Sequence, residues 1–132
     1  MKSSIAKIAP IPGTGMGGGF TDWYLPSQDE LEILYRVFKP TAKENSQWVR
    51  SGINLSALPP TRPYALDSPV QTAAPDFQGD NAEAFATAWY WSSTQYAADS
   101  VFAWCQHFFS GTQYGNHTAR GLRARAVRRV AI

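Results

Sequence analysis

Apolar residues along the chain follow three regimes. From Leu25 to Phe38 they recur at helical spacing, from Lys39 to Gly79 they are scattered among prolines, and from Trp89 onward they cluster or alternate as strands do. In the first regime Leu31, Leu34, Tyr35 and Phe38 stand at i, i+3, i+4 and i+7, which predicts a helix with one apolar stripe. Its start is marked by Ser27 and Glu30. The Ser hydroxyl can accept from the amide of Glu30 while the Glu carboxylate reaches back to the amide of Ser27, satisfying two donors that a helix start leaves unpaired. Asp29 and Glu30 suit the positive helix end, and Pro40 stops the helix.

The second regime holds Pro59, Pro60, Pro63, Pro69 and Pro75 and predicts a long irregular excursion, with Trp48, Tyr64 and Phe77 as rings available to order it. Asp80 and Glu83 repeat a weaker capping pattern, predicting a short helical turn through Ala82, Phe85 and Ala86. Trp89 to Ser93 is predicted as a strand. Val101 to Phe109 is another, with Phe102, Trp104 and Phe108 on one face and Val101, Ala103, Cys105 and Phe109 on the other, so it belongs inside a sheet. Ser110 to Gln113 and Tyr114-Gly115-Asn116 are expected to be turns. Leu122 to Val130 alternates, with Leu122, Ala124, Ala126 and Val130 expected inward and Arg123, Arg125 and Arg129 outward. Arg128 breaks the inward face, with Asp22 and Glu30 as candidate partners. Residues 1–22 show neither period, and five of the seven residues from Gly13 to Gly19 are glycine. An arm over residues 1–19 is expected there, followed by one domain over residues 20–132.

Composition sharpens this layout. A chain of 132 residues can bury a core of its own without disulfides or a structural metal. Its single cysteine, Cys105, and two histidines exclude zinc ribbons and paired-thiol chemistry. Eighteen aromatic residues beside ten Gly and nine Pro describe loops held by packed rings. The net charge of +2 divides into −3 over residues 1–99, from seven Lys/Arg and ten Asp/Glu, and +5 over residues 100–132, from five Arg. The first residues do not form a secretory signal, and no apolar run is long enough to cross a membrane, so the expectation is a protein that is not inserted in a membrane and reaches any extracellular site by another route.

The candidate chemistry is thin. Gly13-x-Gly15-x-x-Gly18 lacks the strand and helix that a dinucleotide fingerprint needs. Cys105 and His107 share a strand face, the minimum for an activated thiol, but so apolar a strand suits a small buried hydrophobe better. Asp76, Asp80 and Asn81 are the nearest approach to a calcium loop, and no cofactor or metal is expected. Asp67, Asp76, Asp80 and Glu83 offer carboxylates for glycoside hydrolysis, with nothing to select a pair. Only Arg123, Arg125 and Arg129 of the arginine run share a face, too few for nucleic acid.

Three ordered phrases carry more than any period: Gly18-Gly19-Phe20-Thr21-Asp22-Trp23-Tyr24-Leu25-Pro26-Ser27 with Glu30-Leu31, then Tyr90-Trp91-Ser92-Ser93-Thr94, then Arg123-Ala124-Arg125-Ala126-Val127-Arg128. Over residues 17–130 the chain resembles the Lcl C-terminal-like domain family, found in bacterial collagen-like adhesins and in phage tail-fibre and other virion proteins. The resemblance implies an α+β chain of C-type-lectin-like fold, with one or two helices, long irregular loops and a terminal antiparallel sheet. In such a fold the binding residues lie on the solvent face of the late strands and their loops, which here implies Gln95, Tyr96, Asp99, Gln106, His107, Gln113, Tyr114, Asn116 and His117. Tyr, Asn, Gln and His give large contact area with few rotors and adaptable hydrogen bonding. The expected function is a non-enzymatic receptor-binding or adhesion module of a phage virion. Its partners would be other virion proteins and a host-surface glycan or protein, it would act as a homo-oligomer with a trimer first, and it would reside in the virion or otherwise on a bacterial surface. The competing expectation is a structural virion protein that decorates or attaches a fibre.

Overall fold

The computed structural model describes residues 3–8, 21–48 and 50–131. Its elements run β1 (Ser3–Ile8), α1 (Gln28–Phe38), a single 3-10 turn (Pro75–Phe77), β2 (Trp89–Gln95), β3 (Phe102–His107), β4 (Gln113–His117) and β5 (Val127–Ala131). The result is an α+β fold in which β2, β3 and β4 form an antiparallel sheet with β3 in the middle, and β1 pairs antiparallel with β5. The glycine run and the Gly13-x-Gly15-x-x-Gly18 motif lie outside the described residues.

The helix forms as its sequence dictates. Ser27 Oγ accepts from the Glu30 amide at 3.2 Å and Glu30 Oε1 accepts from the Ser27 amide at 2.9 Å, closing the capping box. Replacing Ser27 with Ala should cost about 1 kcal/mol, read as a lower urea midpoint with an unchanged slope. The apolar stripe of α1 packs on Tyr64, Phe85, Tyr90, Phe108 and Val127, with Tyr24, Phe38, Phe77 and Ala86 around it. The core is largely stacked rings: Phe85 lies 4.4 Å from Phe108 and Phe38 lies 4.2 Å from Phe77, centroid to centroid.

Buried polar side chains, more than rings, order the excursion between α1 and β2. Asn45 accepts from Tyr35 Oη at 2.6 Å and donates to the Pro69 carbonyl at 2.9 Å. Lys39, almost fully buried, donates to the carbonyls of Lys43 and Pro69. Asn54 donates to the Asp29 carbonyl at 2.8 Å and to Glu32 Oε1 at 2.9 Å. Of the three rings expected here, Tyr64 is buried and Phe77 partly so, but Trp48 is 60% exposed.

Four expectations need correction. Residues 3–8, expected in an irregular arm, form β1, whose register from Ser3↔Ala131 to Ile8↔Val127 depends on a partner over a hundred residues away. No helical turn forms at Ala82, because the Asp80 segment is held by turn hydrogen bonds such as Asn81 N–H to Gln78 O at 3.0 Å, and the Glu83 carboxylate is used elsewhere. Tyr114-Gly115-Asn116 lies inside β4 rather than in a turn. The alternation at the C-terminus is broken, since Arg123 bridges the edge of β2 in parallel and β5 starts only at Val127. Ala124 is therefore exposed while Arg125 is buried, its guanidinium 4.6 Å over the Phe85 ring and 2.8 Å from Glu83 Oε2. Arg128 pairs with Asp22 through Nε at 2.8 Å, and that guanidinium holds the Asp22 carboxyl below its usual range.

Candidate functional site

The register of the three-stranded sheet decides which late-strand residues reach solvent. Tyr90 pairs with Gln106 and Gln106 with Gln113, so these three share the face turned to α1, and all are buried. Gln106 donates to Tyr64 Oη and to the Gly111 carbonyl, both at 3.1 Å, while Gln113 donates to the Gln28 carbonyl at 3.3 Å and accepts from Arg50 at 3.2 Å. Both were expected on the solvent face. Their polarity serves the buried network joining helix, excursion and sheet, and at 0% and 1% exposure neither can meet a partner.

Tyr96 and His117 lie toward the far end of that inner face. The Tyr96 ring sits where a Cβ on Gly115 would be, 2.7 Å away, and packs 5.0 Å from Trp104, so it is a half-buried packing residue rather than a free contact. His117 is exposed, but its Nδ1 accepts from the Ala119 amide at 3.0 Å and its ring stands edge-on to Phe102. Asp99 and Gln95 close the loop between β2 and β3: Asp99 accepts from the Val101 amide at 3.2 Å and Gln95 donates to the Ser100 carbonyl at 3.2 Å.

The opposite face of the sheet is the open one. Across it the register sets Trp91, Cys105 and Tyr114 in one row, Trp89 and His107 in the next, and Ala103 with Gln95 and Asn116 in a third. Of the nine expected site residues, His107, Tyr114 and Asn116 come together here with Gln95 at the margin. The segment from Lys43 to Trp48 borders this face, because Ser46 N–H bonds to the Ser110 carbonyl at 2.7 Å. It lays the Trp48 indole parallel to the Tyr114 ring, 5.1 Å between centroids, and the Lys43 ammonium 5.5 Å from the Phe109 ring. Tyr114 is 42% exposed, and Trp89 stands edge-on to His107 at 5.0 Å. Sequence reasoning missed Trp48 as an exposed ring and Trp89 and Trp91 as partly buried rings on this face. Strand alternation around Cys105 could have shown that Trp91 opposes it only if the register had been known.

Cys105 is no nucleophile. Its thiol donates to the Tyr114 carbonyl at 3.2 Å and accepts from Asn116 Nδ2 at 3.1 Å, and burial pushes its pKa up to about 11. His107 makes no hydrogen bond to the sulfur. Its Nδ1 accepts from the Phe109 amide at 3.0 Å, and burial lowers its pKa, so the ring is neutral at pH 7. At pH 8 Cys105 should react with a thiol reagent at least a hundredfold more slowly in the native protein than in urea, since little thiolate forms and the sulfur is covered. A native rate matching that of the unfolded chain would contradict the burial. Among the described residues no group of three or more His, Cys, Asp or Glu is placed to hold a metal ion.

Fold and site together define a small α+β domain whose antiparallel sheet buries one face on a helix and presents rings on the other. The family model of the Lcl C-terminal domain matches residues 7–128, from within β1 to within β5, and the chain belongs to that family. No curated protein and no solved structure is similar enough to count as a match.

Proposed function

We propose that the domain is a non-enzymatic receptor-binding or adhesion module of C-type-lectin-like architecture, carried on a phage virion or otherwise on a bacterial surface, and that it engages a host-surface glycan or protein. The observation that carries this reading is the open sheet face, where Trp48 and Tyr114 stack in solvent beside Trp91, His107 and Asn116. Large rings with few rotors bind at low entropic cost, and contiguous exposed rings on a small domain mark an interaction surface. Family membership supports the reading, and so does the inert thiol. One such face makes few contacts, so useful adhesion comes from several copies on one assembly, with a trimer as the expected unit.

A structural role in the virion is the second reading. It is favoured by Leu55 and Leu58, 78% and 74% exposed in a loop whose base is tied by Asn54, and such a loop suits docking on another virion protein. Multivalently displayed protein separates the two. Under the receptor reading it binds a susceptible host saturably, and Tyr114→Ala lowers binding about tenfold per contact while leaving assembly intact. No host binding, together with lost assembly in Leu55→Ser and Leu58→Ser variants, would establish the structural role instead.

A further inference from the structure

We propose that His107 is an acid-sensitive latch: its neutral ring holds the turn between β3 and β4 in the form that keeps Trp48 stacked on Tyr114, and protonation of the ring releases the turn and parts the stack. The inference goes beyond the receptor-binding reading, since it concerns how the open face is assembled and not what binds to it.

β3 ends at His107, and residues 108–112 turn the chain into β4. The core fixes two points of that turn. Phe108 is fully buried, with its amide on the Ala88 carbonyl at 3.0 Å. Gly111 donates to the His107 carbonyl at 2.7 Å and lies so close to the core that a Cβ there would be 2.5 Å from the Tyr35 ring. Between these points Phe109 is 40% exposed, and its amide bonds to His107 Nδ1 at 3.0 Å. The next carbonyl, that of Ser110, accepts from the Ser46 amide at 2.7 Å. That bond ties residues 46–48 to the turn, beside a longer one of 3.3 Å from the Gln47 side chain to the Tyr64 carbonyl. The placement of Trp48 over Tyr114 therefore depends on the turn.

An Nδ1 that accepts must carry no proton, and in the imidazolium both ring nitrogens donate. Protonation thus sets one N–H against another at the Phe109 amide. The ring must swing out or the exposed part of the turn must rotate, and Ser110 lies in that part.

The surroundings hold the ring neutral. β2 presents Trp89 edge-on at 5.0 Å, the turn presents Phe109 at 6.3 Å, and the register puts the titratable Cys105 and Tyr114 on the same face. The charges bordering it are Lys43, whose ammonium is 5.5 Å from the Phe109 ring, Glu44 next to it in the chain, and Arg123, joined through its backbone to Trp89. Among the described residues no carboxylate forms an ion pair with His107. Burial without a counter-charge holds its pKa below the ordinary 6.5. The sign follows: the released form, with the ring in water, takes up the proton more readily, so the latch is shut at neutral pH and opens as pH falls below 6.5. His117 makes the same bond to the Ala119 amide at 3.0 Å, but at the other end of β4, where Thr118 ties back to Val101. It serves as an internal control.

The test is an NMR titration of the whole chain from about pH 7.5 to about pH 4.5, across the histidine range. It follows the His107 ring, the amides of Ser46, Phe109 and Ser110, the Trp48 indole and the proton contacts between Trp48 and Tyr114. In the wild type these signals should move together along the His107 titration, with a midpoint below 6.5, and the ring contacts should fade while Phe85 and Phe108 keep their native signals. His107→Asn keeps an acceptor for the Phe109 amide and cannot charge, so it should hold the neutral-pH spectrum into acid. His107→Phe keeps a ring beside Trp89 but no acceptor, and should show the released spectrum at pH 7.5. His117→Asn should leave the Trp48 response unchanged. Ring contacts that persist through the His107 titration, an equal response in His107→Asn, or loss of the Phe85 and Phe108 signals at the same midpoint would each overturn the latch. The wild-type titration decides the matter even where a variant does not fold.

Discussion

Gly52→Ala should destabilise the domain by about 4 kcal/mol, from about 1–3 kcal/mol of backbone strain plus about 1–3 kcal/mol of overpacking. Gly52 has φ +94°, and a Cβ there would lie 2.4 Å from the Tyr64 nitrogen, 2.7 Å from its Cδ1 and 2.9 Å from the Pro63 carbonyl carbon. Two of those atoms are backbone, held by the bond from the Tyr64 amide to the Ser51 carbonyl at 3.1 Å, so they cannot swing aside. Thermal unfolding should show a midpoint drop of roughly 10 °C or more. Gly79→Ala is the control. It has φ +56° with nothing within 4 Å of its Cβ position, and should cost about 1 kcal/mol from backbone conformation alone. Equal losses at the two sites would show that the close approach at Tyr64 is not rigid.

Glu32→Ala should cost about 3–5 kcal/mol. The carboxylate is fully buried and accepts from Asn54 Nδ2 at 2.9 Å, Tyr64 Oη at 2.7 Å and Arg36 Nε at 3.1 Å. Removing it strands donors from the helix and the excursion in the interior. Glu32→Gln keeps the shape but sets an amide N–H against one of those donors, and should cost about 2 kcal/mol. A double-mutant cycle with Tyr64→Phe should show coupling of about 1 kcal/mol or more, measured by urea unfolding. Strict additivity would mean that the carboxylate and the phenol do not share a bond in solution.

Local signals were legible where the physics is local. The capping box at Ser27 and Glu30, the stripe from Leu31 to Phe38 and the central position of β3 could all be read from neighbouring residues, and the structure has each of them. Pairings between distant segments were not legible. Nothing around Ser3–Ile8 names β5 as its partner, and the alternation from Leu122 fails because Arg125 finds Glu83 and Phe85, some forty residues earlier. Which late-strand residues reach the open face was half legible for the same reason. Tyr114 and Asn116 were picked by residue type, but type cannot distinguish Gln106 and Gln113, which satisfy the interior, from polar residues that face outward. Only the register separates them.

The pairing of β1 with β5 also fixes how the domain bears load. Ser3 lies opposite Ala131, so both strands leave the ladder at the same end. Tension applied between those two ends would open the ladder bond by bond, as a zipper opens, rather than shearing all its hydrogen bonds together. Tension between the Ala131 end and a point held on the open face would take another path, through the bonds that join Tyr24 to Val127 and Arg123 to the edge of β2. A module tethered through one strand and gripped at its sheet would therefore resist pulling better than the same module stretched between its two ends.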